Sequence, residues 1–146
     1  MAQVKAVPEG FTTVTPFLNI KGAAEAIEFY KKAFGAEQRR VHKGPNGLIM
    51  NAELMIGNAV VRLADALKDP PTQSSLSLYV DNADAWWKRA VDAGCEVVVP
   101  LATMFWGDKW GLVKDRFGTR WSIAQHVEDV SEDELHRRAA TMAPPS

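Results

Sequence analysis

Apolar positions along the chain switch between two spacings, and each switch marks an element. Ala23, Ile27, Tyr30 and Phe34 recur at i, i+4, i+7 and i+11, one face of an α-helix, and Gly35 stands where a left-handed C-cap is expected. Ala83, Trp87, Ala90 and Val91 make a second stripe, which Asp81 or Asn82 can cap and Gly94 ends. Elsewhere the spacing falls to two. Ser75-Leu76-Ser77-Leu78-Tyr79-Val80 and Arg120-Trp121-Ser122-Ile123 alternate polar with apolar, as half-buried strands do. Residues 48–64 and 110–125 each read as two strands around a turn, at Gly57-Asn58 and at Gly118. Ser131 and Glu134 form a capping box opening a last helix, with acids in its first turn and His136, Arg137 and Arg138 later. The stretch from Pro100 to Gly111 reads as a long loop carrying Phe105, Trp106 and Trp110, and residues 143–146 read as a frayed end.

These elements repeat. LNIKGAAEAIEFYKKAFGAE at residues 18–37 and LYVDNADAWWKRAVDAGCE at residues 78–96 share one plan, with one residue dropped. Ile20 matches Val80, Ala23 matches Ala83, Gly35 matches Gly94 and Glu37 matches Glu96. The period is about 60 residues, so the chain holds two units, each β-α-β-β-β.

Composition narrows the class. Of 146 residues, 47% are hydrophobic and 24% charged, which fits one globular domain and excludes a disordered tail or a disulfide-stapled miniprotein. Seventeen Lys and Arg against eighteen Asp and Glu leave no basic face, so no nucleic-acid partner is expected. No apolar run approaches the ~18 residues of a membrane span, so no membrane partner is expected either. The stretch from Met1 to Pro8 lacks the charged-then-apolar design of a signal peptide. The single cysteine, Cys95, cannot form an internal disulfide, and a cytoplasmic location is expected.

Strand parity carries the chemistry. If Leu18, Ile20, Leu76, Leu78, Val80, Trp121 and Ile123 face the helices, then Thr15, Phe17, Asn19, Ser75, Ser77, Tyr79, Arg120 and Ser122 face the other way. Counting outward from Gly57-Asn58 pairs Met55 with Val60 and Leu54 with Val61, and sets Glu53 opposite Arg62. The second face mixes hydroxyls, aromatics and charges, a composition that suits a ligand cavity.

The stretch VTPFLNIKGAAEAIEFYKKAFGAE and the block FWGDKWGLVKDRFGTRWSIAQHVEDVS, within paired βαβββ units, resemble the vicinal oxygen chelate superfamily. Within it they look like the PhnB-like branch, grouped with glyoxalase and bleomycin-resistance proteins. The similarity covers roughly residues 11–135 and is most specific at Phe105-Trp106-Gly107-Asp108, Asp115, Phe117-Gly118, Trp121 and His126-Val127-Glu128-Asp129. The resemblance implies an α+β fold: two βαβββ modules, about 11–70 and 74–130, forming a curved mixed β-sheet around a cavity with helices on the outer face. A C-terminal helix at about 131–142 completes a single domain over 1–146. It also implies a homodimer, sometimes formed by exchanging modules. Metal-dependent relatives hold a divalent ion with four ligands, and those positions carry over to Thr15, Arg62, Ser75 and Ser122. None is His, Glu or Gln, so no metal and no cofactor are expected at the usual site.

The leading expectation is a metal-free homodimer binding a small organic ligand, anionic or aromatic. Thr15, Phe17, Asn19, Tyr79 and Trp106 give the walls, Arg62 meets an anionic group, and Ser75, Ser77 and Ser122 supply hydroxyls. An alternative is a lyase- or isomerase-type enzyme with Glu53 as base and Arg62 as oxyanion support. A cross-strand ion pair between Glu53 and Arg62 is the structural reading of the same residues. Arg120 either adds to the charge of the cavity or pairs with Asp115 or Asp108. Phe105, Trp106 and Trp110 either stack on a flat ligand or anchor a loop or dimer contact. His42, His126 and His136 show no ligand spacing, and His42 or His126 leave a non-standard metal site open.

Overall fold

A computed structural model describes residues 4–142; residues 143–146, read above as frayed, and residues 1–3 of the opening stretch lie outside the described part. The first module runs β1 (Phe17–Ile20), α1 (Ala23–Phe34), β2 (Glu37–Lys43), β3 (Ile49–Ile56) and β4 (Ala59–Asp65). The second runs β5 (Ser74–Tyr79), α2 (Ala83–Ala93), β6 (Glu96–Thr103), β7 (Asp108–Lys114) and β8 (Thr119–His126), and α3 (Glu132–Ala140) follows. The fold is α+β with two βαβββ modules, as the repeat requires. Each module forms its own four-stranded mixed sheet, ordered β1-β4-β3-β2 and β5-β8-β7-β6. In each sheet the parallel pair, β1 with β4 or β5 with β8, lies at one edge, and the remaining pairings are antiparallel.

The helix stripes read from the sequence face inward: Ala23, Ile27, Tyr30 and Phe34 are at most 3% exposed, and Ala83 and Ala90 are fully buried. They join Leu18, Ile20, Leu54, Leu63, Trp121 and Ile123 in one core shared by both modules. The helices also pack on each other, with Arg89 of α2 donating to Lys31 O and Lys32 O near the end of α1. Asp115, 3% exposed, fixes the junction. Its carboxylate accepts from Tyr30 Oη of α1 at 2.6 Å, Trp121 Nε1 at 2.9 Å, and the amides of Phe117 and Thr119. Burial, then the charge of Asp115, drives the Tyr30 phenol far above its ordinary range.

The stretch from Pro100 to Gly111 is not a long loop. Strand β6 continues through Pro100 to Thr103, and only residues 104–107 connect it to β7. Proline is tolerated there because β6 is an edge strand whose register shifts between Val97 and Val99 and again between Val99 and Ala102. The capping box is half made: Ser131 Oγ accepts from Glu134 N, whereas the Glu134 carboxylate pairs with Arg137 and Arg138. Among the described residues, no helix is long and apolar enough to cross a membrane.

Candidate functional site

With Leu18, Ile20, Trp121 and Ile123 turned to the core, alternation sends the opposite parity outward on both sheets. On the first sheet one row crosses all four strands: Phe17, Arg62, Glu53 and Arg40 are successive cross-strand partners. Beyond it, Asn19 pairs with Ala64 and Asn51 pairs with His42. Thr15 lies just before β1, its hydroxyl donating to Thr12 O. Arg62 does not pair with Glu53. Its Nε and Nη2 donate to Asn51 Oδ1 at 3.0 and 2.7 Å, diagonally across the sheet, and the guanidinium lies 5.3 Å from the Phe17 ring centroid. The ion-pair reading is therefore corrected: a diagonal bidentate contact and a cation–π contact satisfy Arg62 without Glu53. Glu53 is 8% exposed and, among the described residues, has no ion-pair or hydrogen-bond partner for its carboxylate.

The second sheet grades from cationic to aromatic and acidic. Ser75, Arg120 and Lys114 form one row, Ser77, Ser122 and Leu112 the next, then Tyr79, Ala124 and Trp110, and finally His126 with Asp108. Ser75, Ser77 and Tyr79 are exposed and Ser122 is buried. Arg120 pairs with neither Asp115 nor Asp108, because both carboxylates are filled by other donors. A recess of about 490 Å³ brings Ser77 and Tyr79 beside Gly57 and Asn58 at the tip of the first module's hairpin. A larger groove of about 740 Å³ lies on the helix side, where Phe29 is flanked by Glu25, Glu28, Lys32 and Arg116. The polar-face chemistry, rather than the larger volume, identifies the candidate site.

At the acidic end, Asp108 is 3% exposed and accepts three side-chain hydrogen bonds. Tyr79 Oη donates at 2.6 Å and Trp106 Nε1 at 3.0 Å, and His126 Nδ1 stands 2.9 Å away. His126 Nε2 is 2.7 Å from Asp129 Oδ1. Burial alone raises the Asp108 carboxyl, but the bonds from Tyr79, His126 and Trp106 outweigh it and hold the group below the ordinary carboxylate range. The bond to Asp108, then that to Asp129, raises His126, and the same carboxylate raises Tyr79. Trp106 stacks edge-on against both Phe105 and Trp110, with ring centroids 5.2 and 5.9 Å apart. The aromatic connection between β6 and β7 is thereby tied to the polar face.

Parity placed Tyr79, Ser77, Ser75 and Ser122 on one surface, and Thr15, Phe17, Asn19 and Arg62 together on the other sheet. The grouping of Asp108, His126 and Asp129 was missed. Counting outward from Gly118, as was done from Gly57-Asn58, sets Lys114 opposite Arg120 and Asp108 opposite His126, so the signal was present. The positions where the resemblance implies metal ligands do not fit a divalent ion. A guanidinium already stacked on Phe17 and bound to Asn51 repels a cation, and two serines and a threonine are poor neutral donors. Nor do the described residues contain a group of three or more His, Cys, Asp and Glu placed to hold a metal, at His42, His126 or elsewhere.

The sequence model of the Glyoxalase/Bleomycin resistance protein/Dioxygenase superfamily matches residues 11–123. An uncharacterized protein of Mycobacterium bovis is 37% identical over 134 residues, covering 84% of this chain and 88% of the relative. Among solved structures, TioX from Micromonospora sp. ML1 superposes with a TM-score of 0.69 at 22% identity, over 80% of this chain and 99% of that one. TnmS3, an antibiotic binding protein from Streptomyces sp. CB03234, gives 0.63 at 18% identity, over 86% and 99%. At these identities the two structures share the fold.

Proposed function

Because this chain belongs to the glyoxalase/bleomycin resistance protein/dioxygenase superfamily, we propose that it is a PhnB-like homodimer that binds a small aromatic organic acid without metal. The observation that carries the reading is Arg62. It stands where the resemblance implies a metal ligand, and Asn51 and Phe17 pre-orient it as an anion receptor on the polar face. Thr15, Phe17 and Asn19 border it. Tyr79, Trp106 and the hydroxyls of Ser75, Ser77 and Ser122 form the facing wall on the second module. Phe17 is 45% and Tyr79 69% exposed in the single chain, which supports closure of the site by a second copy. The antibiotic binding attributed to TnmS3 supports sequestration as the role. The one cysteine, free and buried, supports a reducing compartment such as the cytoplasm.

Screening aromatic carboxylic acids by thermal shift tests this function. A binder at a hundredfold excess over its Kd stabilises the native state by about 2.7 kcal/mol. Arg62→Ala is expected to weaken binding about ten- to a hundredfold while the chain stays folded, the range for losing a charge-assisted hydrogen bond. No stabilisation by any acid, or stabilisation that survives Arg62→Ala unchanged, contradicts the proposal. The unpartnered carboxylate of Glu53 favours one second reading, a lyase- or isomerase-type enzyme with Glu53 as base and Arg62 holding an oxyanion. Turnover lost in a folded Glu53→Gln variant supports that reading, and turnover that persists removes it.

A further inference from the structure

Asp129 stands apart from the other acids near the polar face. Its side chain is fully exposed, and its one hydrogen bond among the described residues is the 2.7 Å contact to His126 Nε2. The backbone that carries it is pinned, because the amides of Val127 and Glu128 both donate to Gly107 O at 2.9 and 3.0 Å. Glycine is required for that close pass: φ at Gly107 is +102°, and a Cβ there would meet Glu128 O at 2.2 Å. A solvated carboxylate is thus delivered to the outer nitrogen of a histidine whose inner nitrogen is held by buried Asp108. A histidine bonded to carboxylates at both nitrogens is an imidazolium donating twice. Tyr79 and Trp106 converge on the same Asp108, and Trp110 packs beside Trp106.

The geometry points to a self-ligand: Asp129 occupies the oxyanion subsite at His126 Nε2–H, and an aromatic or conjugated organic acid displaces it. The carboxylate or enolate oxygen of that acid takes over the hydrogen bond, and its ring lies against Tyr79, Trp106 and Trp110. No covalent step is involved, and the proton stays on His126. The exchange is favourable because a fully solvated ion pair holds Asp129 weakly, whereas a ligand that excludes water strengthens the same bond. This inference rests on reading the polar face as the ligand surface, and it adds an anchor on the second module to Arg62 on the first.

The groups facing His126 are Asp108 on β7 and Asp129 after β8, while Tyr79 on β5 reaches Asp108 rather than the ring. When His126 loses its Nε2 proton, that nitrogen becomes an acceptor and repels a carboxylate. Acid binding therefore weakens as pH rises through the histidine titration.

Calorimetric titration of the whole chain with 1-naphthoate and with neutral 1-naphthamide at pH 6 tests the self-ligand. Asp129→Ala is expected to bind naphthoate about two- to fivefold tighter than wild type, the scale of an exposed ion pair removed from competition, with naphthamide unchanged. His126→Gln is expected to narrow the preference for acid over amide to the part that Arg62 supplies, and wild-type naphthoate affinity is expected to fall between pH 6 and pH 9. Equal or weaker naphthoate binding in Asp129→Ala overturns the inference, and so does an acid preference undiminished in His126→Gln or a flat pH profile. If Arg62→Ala still weakens naphthoate while Asp129→Ala brings no gain, the self-ligand alone fails. If neither probe binds any of these proteins, the polar-face reading fails with it.

Discussion

Two aspartates of the second module, each 3% exposed, carry different loads. Asp115 accepts from Tyr30, Trp121, Phe117 and Thr119, all turned inward, so it serves the junction between modules. Tyr30→Phe removes a buried hydrogen bond to a charged group and is expected to lower stability by about 1.5–3 kcal/mol, read as a shift of the urea midpoint at constant slope. Asp108 instead accepts from Tyr79 and His126, both open to solvent, and therefore belongs to the polar face of the second sheet. The His126 contribution to stability has a definite sign. Its folded-state value is raised, so the contribution is complete below the ordinary histidine value of 6.5 and is lost as pH rises through the higher folded value. Urea midpoints measured from pH 5 to 9 should show that loss in the wild type and not in His126→Gln. Glu53 and Arg62 mark what cross-strand counting can deliver. Register placed them opposite each other, but it could not reveal that Arg62 reaches diagonally to Asn51, because a long side chain chooses among several neighbours.

At the scale of elements, the repeat extends to how each helix begins. Asp65, at the end of β4, accepts from the amides of Gly22 and Ala23 at the start of α1, and a further bond from Ile49 N holds β3. Gln125, at the matching place in β8, accepts from Ala83 N at the start of α2. Asp65→Ala is expected to cost about 1–2 kcal/mol, as loss of an N-terminal cap does, and more than Gln125→Ala because three amides lose their acceptor. Thermal melts of the two variants make the comparison. The helices and hairpins were legible because apolar spacing and glycine turns are local signals. The strand through Pro100 was not, since proline ordinarily argues against a strand and only the edge position in the sheet explains it. Helix α3 buries none of its residues and is held by Arg138, which bonds Glu128, Glu134 and Phe105 O. Arg138→Ala is expected to speed hydrogen exchange in α3 without moving the global melting temperature, whereas a matching global loss would show that α3 belongs to the cooperative core.

For the molecule as a whole, one core unites the inner faces of both sheets with α1 and α2, which leaves the two polar faces outside it. That division followed from strand parity alone, and so did the membership of both faces. What parity could not supply is how the two faces are disposed toward each other, because side-chain alternation is a property of each strand alone. Under the proposed function, these faces hold an organic acid at the positions where the resemblance implies metal ligands. Native mass spectrometry of untreated, freshly purified protein addresses it most directly. The protein is expected to be a dimer that carries a small organic molecule released on denaturation, with no divalent ion bound in stoichiometric amount. A tightly held divalent metal on each chain, lost when Arg62 and Ser122 are replaced, would contradict it.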